Sequence, residues 1–387
     1  MKITAVRCFQ VTGQFEPTQP EERQVGLLDI YPEYAVRPPA RSSGRESSAV
    51  YVRIETDEGP SGLFGPIFPE TAPIIRHKLV PWLVGQDPLA GERIWDVLYR
   101  QDRHARKGHE MMAISAVDCA LWDLRGKIFN LPVYRLLGGP TRDRVPCYAS
   151  MLGYSHDPGL VRERAQEMQA AGYTAQKWFF RYGPADGLAG MEKNVALVRT
   201  VREAVGPTTE IMLDCWMGWD VTYATRMLER IAEYQPRWLE EPVPPDRIGD
   251  FAALRRASRV PIATGEHEYT RWGFLQLLQA DAVDVIQADP DWCGGISELV
   301  KIVTLASAYG RHVVPHGHSV YAAINVIAAM PPATMPLAEY LVRSQPSAQR
   351  FHTRQLRPEH GSFALPDAPG LGIEIDESKV ERVTNDE

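Results

Sequence analysis

Ile211-Met212-Leu213-Asp214-Cys215-Trp216 is an apolar run that stops on a carboxylate, and the chain repeats the design twice. Arg237-Trp238-Leu239-Glu240-Glu241-Pro242 and Pro261-Ile262-Ala263-Thr264-Gly265-Glu266 have the same form, which spaces Asp214, Glu240 and Glu266 at intervals of 26 residues. In a (β/α)8 barrel one strand-helix unit takes roughly 25 to 30 residues, and the C-terminal ends of neighbouring strands converge on one mouth. Three carboxylates delivered to one mouth make a site for a hard divalent cation.

Working outward from these runs, short apolar strands alternate with helical patterns from Arg144 onward. The expected strands are 145–149, 174–179, 210–214, 237–240, 261–264, 283–287, 312–315 and 337–339, with helices between them such as 157–171, 192–205, 221–234 and 296–309. Eight strands with seven intervening helices is a barrel pattern. Lys177, Asp214, Glu240, Glu266, Asp289, His316 and Glu339 then follow strands two to eight, about one unit apart. Asp and Glu make up 49 of 387 residues, so one acid at a strand end is cheap coincidence. Seven polar strand ends in register are not.

The triad offers only oxygen, which selects Mg²⁺ or Mn²⁺ over Zn²⁺. His316-Gly317-His318 could present two imidazoles to one side, but no further His or Cys has a defined place beside them for a zinc site. Asp289 precedes His316 by one strand, so its carboxylate can fix the imidazole tautomer and make the other nitrogen a base. His267, next to Glu266, reads as a substrate contact or a support for the metal ligands.

The amino-terminal part has a different texture. Residues 1–12 and 48–55 read as strands, and the turn Asp57-Glu58-Gly59-Pro60 pairs the second with 61–64 in a small antiparallel sheet. Helical patterns follow at 70–83, 88–99 and 110–129, the last stopped by Asn130-Leu131-Pro132. Residues 12–47 form a long connection whose Tyr31, Tyr34, Arg37, Arg41 and Arg45 suit a lid over an anionic ligand. The expected division is an α+β capping domain over 1–125, a barrel over 126–354, and a segment 355–387 that packs back on the cap.

With 44% hydrophobic residues the chain can bury a large core. Net charge −7 and the absence of a basic block exclude a nucleic-acid partner. Five scattered cysteines without a C-x-x-C pair fit free thiols in a reducing compartment. The start lacks the apolar core of a signal peptide, and no apolar run approaches the roughly 18 residues of a membrane span, so a cytoplasmic enzyme is expected.

Ala113-Ile114-Ser115-Ala116-Val117-Asp118-Cys119-Ala120-Leu121-Trp122-Asp123-Leu124-Arg125-Gly126-Lys127, Leu136-Leu137-Gly138-Gly139, the acid triad, and Asp289 with His316 together resemble the mandelate racemase subgroup of the enolase superfamily. Met212 to Met217, Gly265-Glu266-His267, Asp291-Trp292-Cys293-Gly294-Gly295 and Val313 to Gly317 are most similar to its acid-sugar dehydratases, the L-rhamnonate dehydratases among them. The resemblance implies an α+β cap over a (β/α)7β modified TIM barrel, one Mg²⁺ held by Asp214, Glu240 and Glu266, and a homo-oligomer. It further implies that His316, oriented by Asp289, removes the C2 proton of a sugar acid and then protonates the departing 3-hydroxyl. The product is a 2-keto-3-deoxy acid. Glu339 and Lys177 would bind the substrate carboxylate, and His267, Trp216 and Arg41 would contact the sugar.

Two departures refine this. Racemases of the subgroup carry a second Lys two residues after the first, where this chain has Phe179, so one-sided elimination is favoured. Rhamnonate dehydratases place a His in the lid, whereas residues 12–47 contain none. The competing readings are an epimerase or racemase, which needs another base opposite His316, and a non-catalytic sugar-acid binder that kept the barrel.

Overall fold

The computed structural model describes residues 1–16, 18–35 and 46–385. Eight parallel strands form the larger body: β4 (Arg144–Ser150), β5 (Ala175–Phe179), β6 (Glu210–Asp214), β7 (Trp238–Glu240), β8 (Ile262–Thr264), β9 (Val285–Ile286), β10 (His312–Val313) and β11 (Ala338–Leu341). They pair in the order β10-β9-β8-β7-β6-β5-β4-β11, and the short β12 (Ser362–Ala364) adds antiparallel to β4. Helices Pro158–Ala170, Gly187–Val205, Val221–Ile231, Ile248–Ala257, Thr270–Gln279, Ile296–Ala308 and Val320–Ala329 fill the intervals.

Strand alternation sends every second side chain inward. Tyr148, Ala175, Met212, Trp238, Ala263, Val285, Val314 and Leu337, one from each strand or its flank, accordingly form a buried cluster of their own, apart from the main core. That cluster fills the inside of a (β/α)7β barrel, a parallel sheet curled from β10 round to β11. The ladders at β9 and β10 are only two residues long, shorter than the expected 283–287 and 312–315, because the chain leaves the sheet early to shape the mouth.

The smaller body is a four-stranded antiparallel sheet in the order β13-β1-β2-β3, from β1 (Ile3–Gln14), β2 (Glu46–Thr56), β3 (Ser61–Ile67) and β13 (Arg382–Asn385). Helix Gly108–Phe129 is buried between this sheet and the barrel and ends at Asn130, whose φ of 52° takes the left-handed turn that stops a helix. Its acids fix both neighbours. Asp123 accepts from the backbone N–H groups of Leu63 and Leu371, and Asp118 from the N–H and hydroxyl of Ser297. Gly295, at φ 88°, leaves Asp118 room: a Cβ there would fall 2.3 Å from Asp118 Oδ2. Further out, Trp95, Tyr99 and Trp272 stack across the seam with ring separations of 5.1 and 4.9 Å, and Arg271 lies 4.6 Å over Trp272. Each aromatic pair contributes about 0.5–1.5 kcal/mol beyond its buried area.

A second tie crosses from cap to barrel through His352, which is 1% exposed and lies 3.0 Å from the hydroxyls of both Tyr51 and Tyr321. Tyr321 donates its own proton to the Arg354 carbonyl, so it must accept from His352 Nδ1–H, leaving Nε2 to accept from Tyr51. Protonation would take away that acceptor. Burial, with Lys379 and Arg350 nearby, pushes the imidazole down to about 4 from 6.5. A histidine depressed in this way supports the fold above pH 6.5 and loses that support as pH falls through 4. In urea unfolding, wild type is expected to lose about 3 kcal/mol more than His352→Gln between pH 6.5 and 4. His352→Gln should remove this component, and an unchanged acid dependence in the variant would refute the assignment.

The connection expected as a lid is shorter than 12–47, since β1 runs on to Gln14 and β2 begins at Glu46. Its described part crosses the barrel mouth: Glu21 N–H bonds the Gly153 carbonyl after β4, and Val25 N–H bonds the Phe180 carbonyl after β5. Glu21 also pairs with Arg343 after β11, at 2.7 Å. Arg37, Arg41 and Arg45 lie outside the described residues. Among the described residues no helix is long and apolar enough to cross a membrane.

Candidate active site

Two residues beyond the inner apolar cluster, each strand contributes its next inward position: Ser150, Lys177, Asp214, Glu240, Gly265, Gln287, His316 and Glu339. The barrel interior changes there from apolar to charged. Glu266 and Asp289 sit one and two residues past this tier, so the evenly spaced row read from the sequence spans two levels. Gly265 makes the exception at β8. Its φ of 125° turns the backbone inward, and a Cβ would meet Phe274 at 2.8 Å, so the acid comes from the next residue.

Lys177, 1% exposed, is the hub. Its ammonium reaches Asp214 at 3.1 Å and Glu339 at 2.9 Å, and also bonds Glu240. Burial works against this charge, but Glu240, Glu339 and Asp214 outweigh it and hold Lys177 firmly protonated. Phe179 lies 5.3 Å from the same ammonium, so the position of a second lysine is an apolar wall. Glu240 is further fixed by Trp238 Nε1–H at 2.9 Å, and Glu339 accepts from Gly317 N–H at 2.8 Å.

His316 Nδ1 is 2.8 Å from Asp289, and its Nε2 looks toward Glu266 at 3.9 Å. Burial disfavours the imidazolium, but Glu266, the Asp289 hydrogen bond and Glu339 prevail and lift it to about 10. Asp214 is pushed up to about 6 and Glu266 to about 7, in both cases chiefly by burial. Glu240 is held well above the carboxylate range by burial and by the charge of Asp214. Six buried carboxylates, those of Asp214, Glu240, Glu241, Glu266, Asp289 and Glu339, face one ammonium and the imidazoles of His267 and His316. This excess of oxygen and negative charge fits a divalent cation on the triad.

His267 donates to Glu241 at 2.9 Å and lies 3.6 Å from Glu266. The ligand atoms of Glu241, Glu266 and His267 come within 4.8 Å of one another, a tighter group than the predicted triad. We read it as a support beside the metal ligands, because the imidazole proton is already committed to Glu241. Glu241 was not singled out from the sequence. Its φ of 40° swings it away from the direction that strand alternation gives, and the doubled acid of Glu240-Glu241 was the available signal.

Trp216 also stands in left-handed backbone, at φ 40°, and its N–H bonds Asp214 at 2.9 Å. It borders a cavity of about 150 Å³ with Arg23, Gln24, Gly26, Leu28, Asp29 and Tyr34 of the lid, where the mouth meets its cover. Tyr31 and Tyr34 of the lid are exposed. His318, expected at most as half of a metal pair, instead bonds its own carboxylate, Asp291, at 2.7 Å. Asp291 entered the sequence reading only as part of the Asp291–Gly295 run and was given no role, although the spacing of Asp289 and Asp291 repeats that of His316 and His318.

A barrel with an α+β cap, an acid triad at one mouth and an Asp–His pair beside it defines the enolase superfamily, and this chain belongs to its mandelate racemase/muconate lactonizing enzyme family. Residues 31–138 match that family's N-terminal domain and 160–379 the enolase C-terminal domain-like family. L-rhamnonate dehydratase of Saccharopolyspora erythraea is 38% identical over 392 residues, covering 97% of each chain. The crystal structure of rhamnonate dehydratase from Gibberella zeae complexed with Mg superposes with TM-score 0.85 at 31% identity, over 98% of this chain and 96% of that one. The 3,6-anhydro-D-galactonate cycloisomerase from Zobellia galactanivorans is more distant, at 27% identity and TM-score 0.78 over 99% and 100%.

Proposed function

We propose that the protein is a Mg²⁺-dependent hydro-lyase that dehydrates a sugar acid related to L-rhamnonate to a 2-keto-3-deoxy acid. The observation that carries this reading is the imidazole of His316, anchored on Asp289 and facing an oxygen-only triad, with the apolar Phe179 where the racemases carry a second lysine. Its relatives support the same chemistry: one is named L-rhamnonate dehydratase, and a rhamnonate dehydratase was crystallised with Mg.

In this reading Asp214, Glu240 and Glu266 hold the metal. When bound, Mg²⁺ supplies positive charge against the substrate carboxylate and 2-hydroxyl, which acidifies the C2 proton. Asp289 accepts from His316 Nδ1–H, and a cation on the triad would cancel the Glu266 charge that lifts His316 in the metal-free protein, so Nε2 is the atom that would receive this proton. Lys177 and Glu339 orient the carboxylate end. His267, Trp216 and Arg41 are assigned to the sugar, with the lid reading its distal end. The 3-hydroxyl then leaves as water.

The test is a library of sugar acids incubated with Mg²⁺ and scored for 2-keto-3-deoxy products. At least one aldonate should be dehydrated, and because the lid lacks histidine its preferred sugar is expected to differ from L-rhamnonate. Solvent-deuterium incorporation at C2 with no loss of water across the library would point to an epimerase and reject dehydration.

A further inference from the structure

Beside His316–Asp289 stands a second imidazole–carboxylate pair built on the same two segments. His318 Nδ1 bonds Asp291 Oδ2 at 2.7 Å, as His316 Nδ1 bonds Asp289 Oδ2 at 2.8 Å. The pairs are coupled through Asp289, which accepts from Asp291 N–H at 2.7 Å and from His318 N–H at 3.4 Å. Both imidazoles lie against one indole, with Trp292 ring separations of 4.7 Å to His316 and 5.4 Å to His318. Phe68, just beyond β3, stacks on His318 at 5.0 Å and 18°. The His318 ring is thus held between aromatic faces with Nδ1 committed, and its side chain is still 30% exposed.

Two neighbouring polar atoms have no hydrogen-bond partner, although both residues are 7% exposed: Asp291 Oδ1 and Trp292 Nε1. An acceptor and a donor left over together complement a hydroxyl group, which offers one of each. Burial opposes charge on His318, but the Asp291 hydrogen bond and the charges of Asp291 and Asp289 outweigh it, favouring the protonated form that an acid needs.

We propose that His318, oriented by Asp291, is the general acid that protonates the departing 3-hydroxyl, leaving His316 to handle the carbon-bound protons. The inference rests on the dehydration reading above. His316 Nε2 takes the C2 proton, and the C–H electron pair becomes the enediolate. That pair then forms the C2–C3 double bond as the C3–O bond breaks, and His318 Nε2–H supplies the proton that turns hydroxide into water. The resulting enol becomes the ketone when His316 returns its proton to C3, and the enol's O–H proton restores His318. No oxidant or reductant is needed.

The experiment uses the full chain with Mg²⁺ on L-rhamnonate, L-mannonate and D-galactonate, comparing wild type with His318→Asn and Asp291→Asn. Water loss by His318→Asn should fall by about 10²- to 10³-fold, while hydrogen exchange at C2 in deuterated water falls less than about tenfold. A 3-deoxy-3-fluoro analogue of the substrate, whose fluoride leaves without a proton, should be turned over at close to the wild-type rate. Asp291→Asn should show the same split, and both variants should melt and respond to Mg²⁺ as wild type does.

A role confined to holding the cap would depress exchange and elimination together and give no fluoride rescue, which overturns the proposal. Loss of fold in His318→Asn moves the decision to Asp291→Asn, with the same two readouts. A wild type that dehydrates while His318→Asn dehydrates equally well sinks only this step. A wild type that eliminates water from no sugar acid sinks the proposed function and this step with it.

Discussion

His316→Asn should leave a folded, Mg²⁺-responsive protein whose dehydration rate is lower by about 10³-fold or more. The amide can still donate to Asp289, so the local hydrogen bond survives and the loss isolates basicity from packing. Hydrogen exchange at C2 must disappear with dehydration, because the variant has no group to take the proton. This separates it from His318→Asn, in which exchange persists. Proton-transfer groups contribute about 10²- to 10⁴-fold, and Phe179 provides no substitute on the other side. Exchange and turnover that persist in His316→Asn would remove the mechanism.

The second large effect concerns the metal. Asp214 at about 6, Glu266 at about 7 and Glu240, held well above the usual carboxylate range, are carboxyls that burial has made reluctant to ionise. A cation needs the anions, so Mg²⁺ affinity should rise as pH climbs through 6 to 7, and binding should release protons. The linkage to stability follows. A carboxyl whose folded pKa is raised supports the fold below its unfolded value near 4, and that support is lost as pH rises through the folded value. These carboxyls should therefore withdraw their contribution between pH 4 and 7 in the metal-free protein, opposing the gain from His352, and Mg²⁺ should restore about 2.7 kcal/mol at 100 times its Kd. Calorimetric titration in two buffers of different ionisation enthalpy reads the proton release. Mg²⁺ binding that ignores pH, or full Mg²⁺ stabilisation of Glu266→Gln, would contradict the assignment.

Much of this site was legible because barrel geometry converts spacing into position. Asp214, Glu240 and Glu266 follow apolar runs one strand-helix unit apart, and the fold then has little choice but to gather them. His316 with Asp289 was legible for the same reason. The pairings that escaped depend on backbone departures that periodicity does not carry. Glu241 meets His267 only because φ is positive at Glu241, and Glu266 reaches the mouth only through the turn at Gly265. The Asp291–His318 pair needed the loops after β9 and β10 to bend in concert, although its i, i+2 spacing was in plain view. Lys177 was read as a substrate contact, whereas its first role in the fold is to neutralise three acids in the barrel interior.

The cap sheet is completed by β13, which pairs with β1 through Phe9↔Asn385 and Val11↔Val383. Gln14 and Glu381, hydrogen-bonded across this junction, are 367 positions apart in the chain. During synthesis on the ribosome, β1 emerges before the barrel and its outer edge waits for a partner until every barrel strand has been translated. An unpaired edge invites adventitious strand pairing. The order of emergence therefore makes the barrel the template on which the cap is finished, and leaves the outer edge of β1 open until β13 has been made.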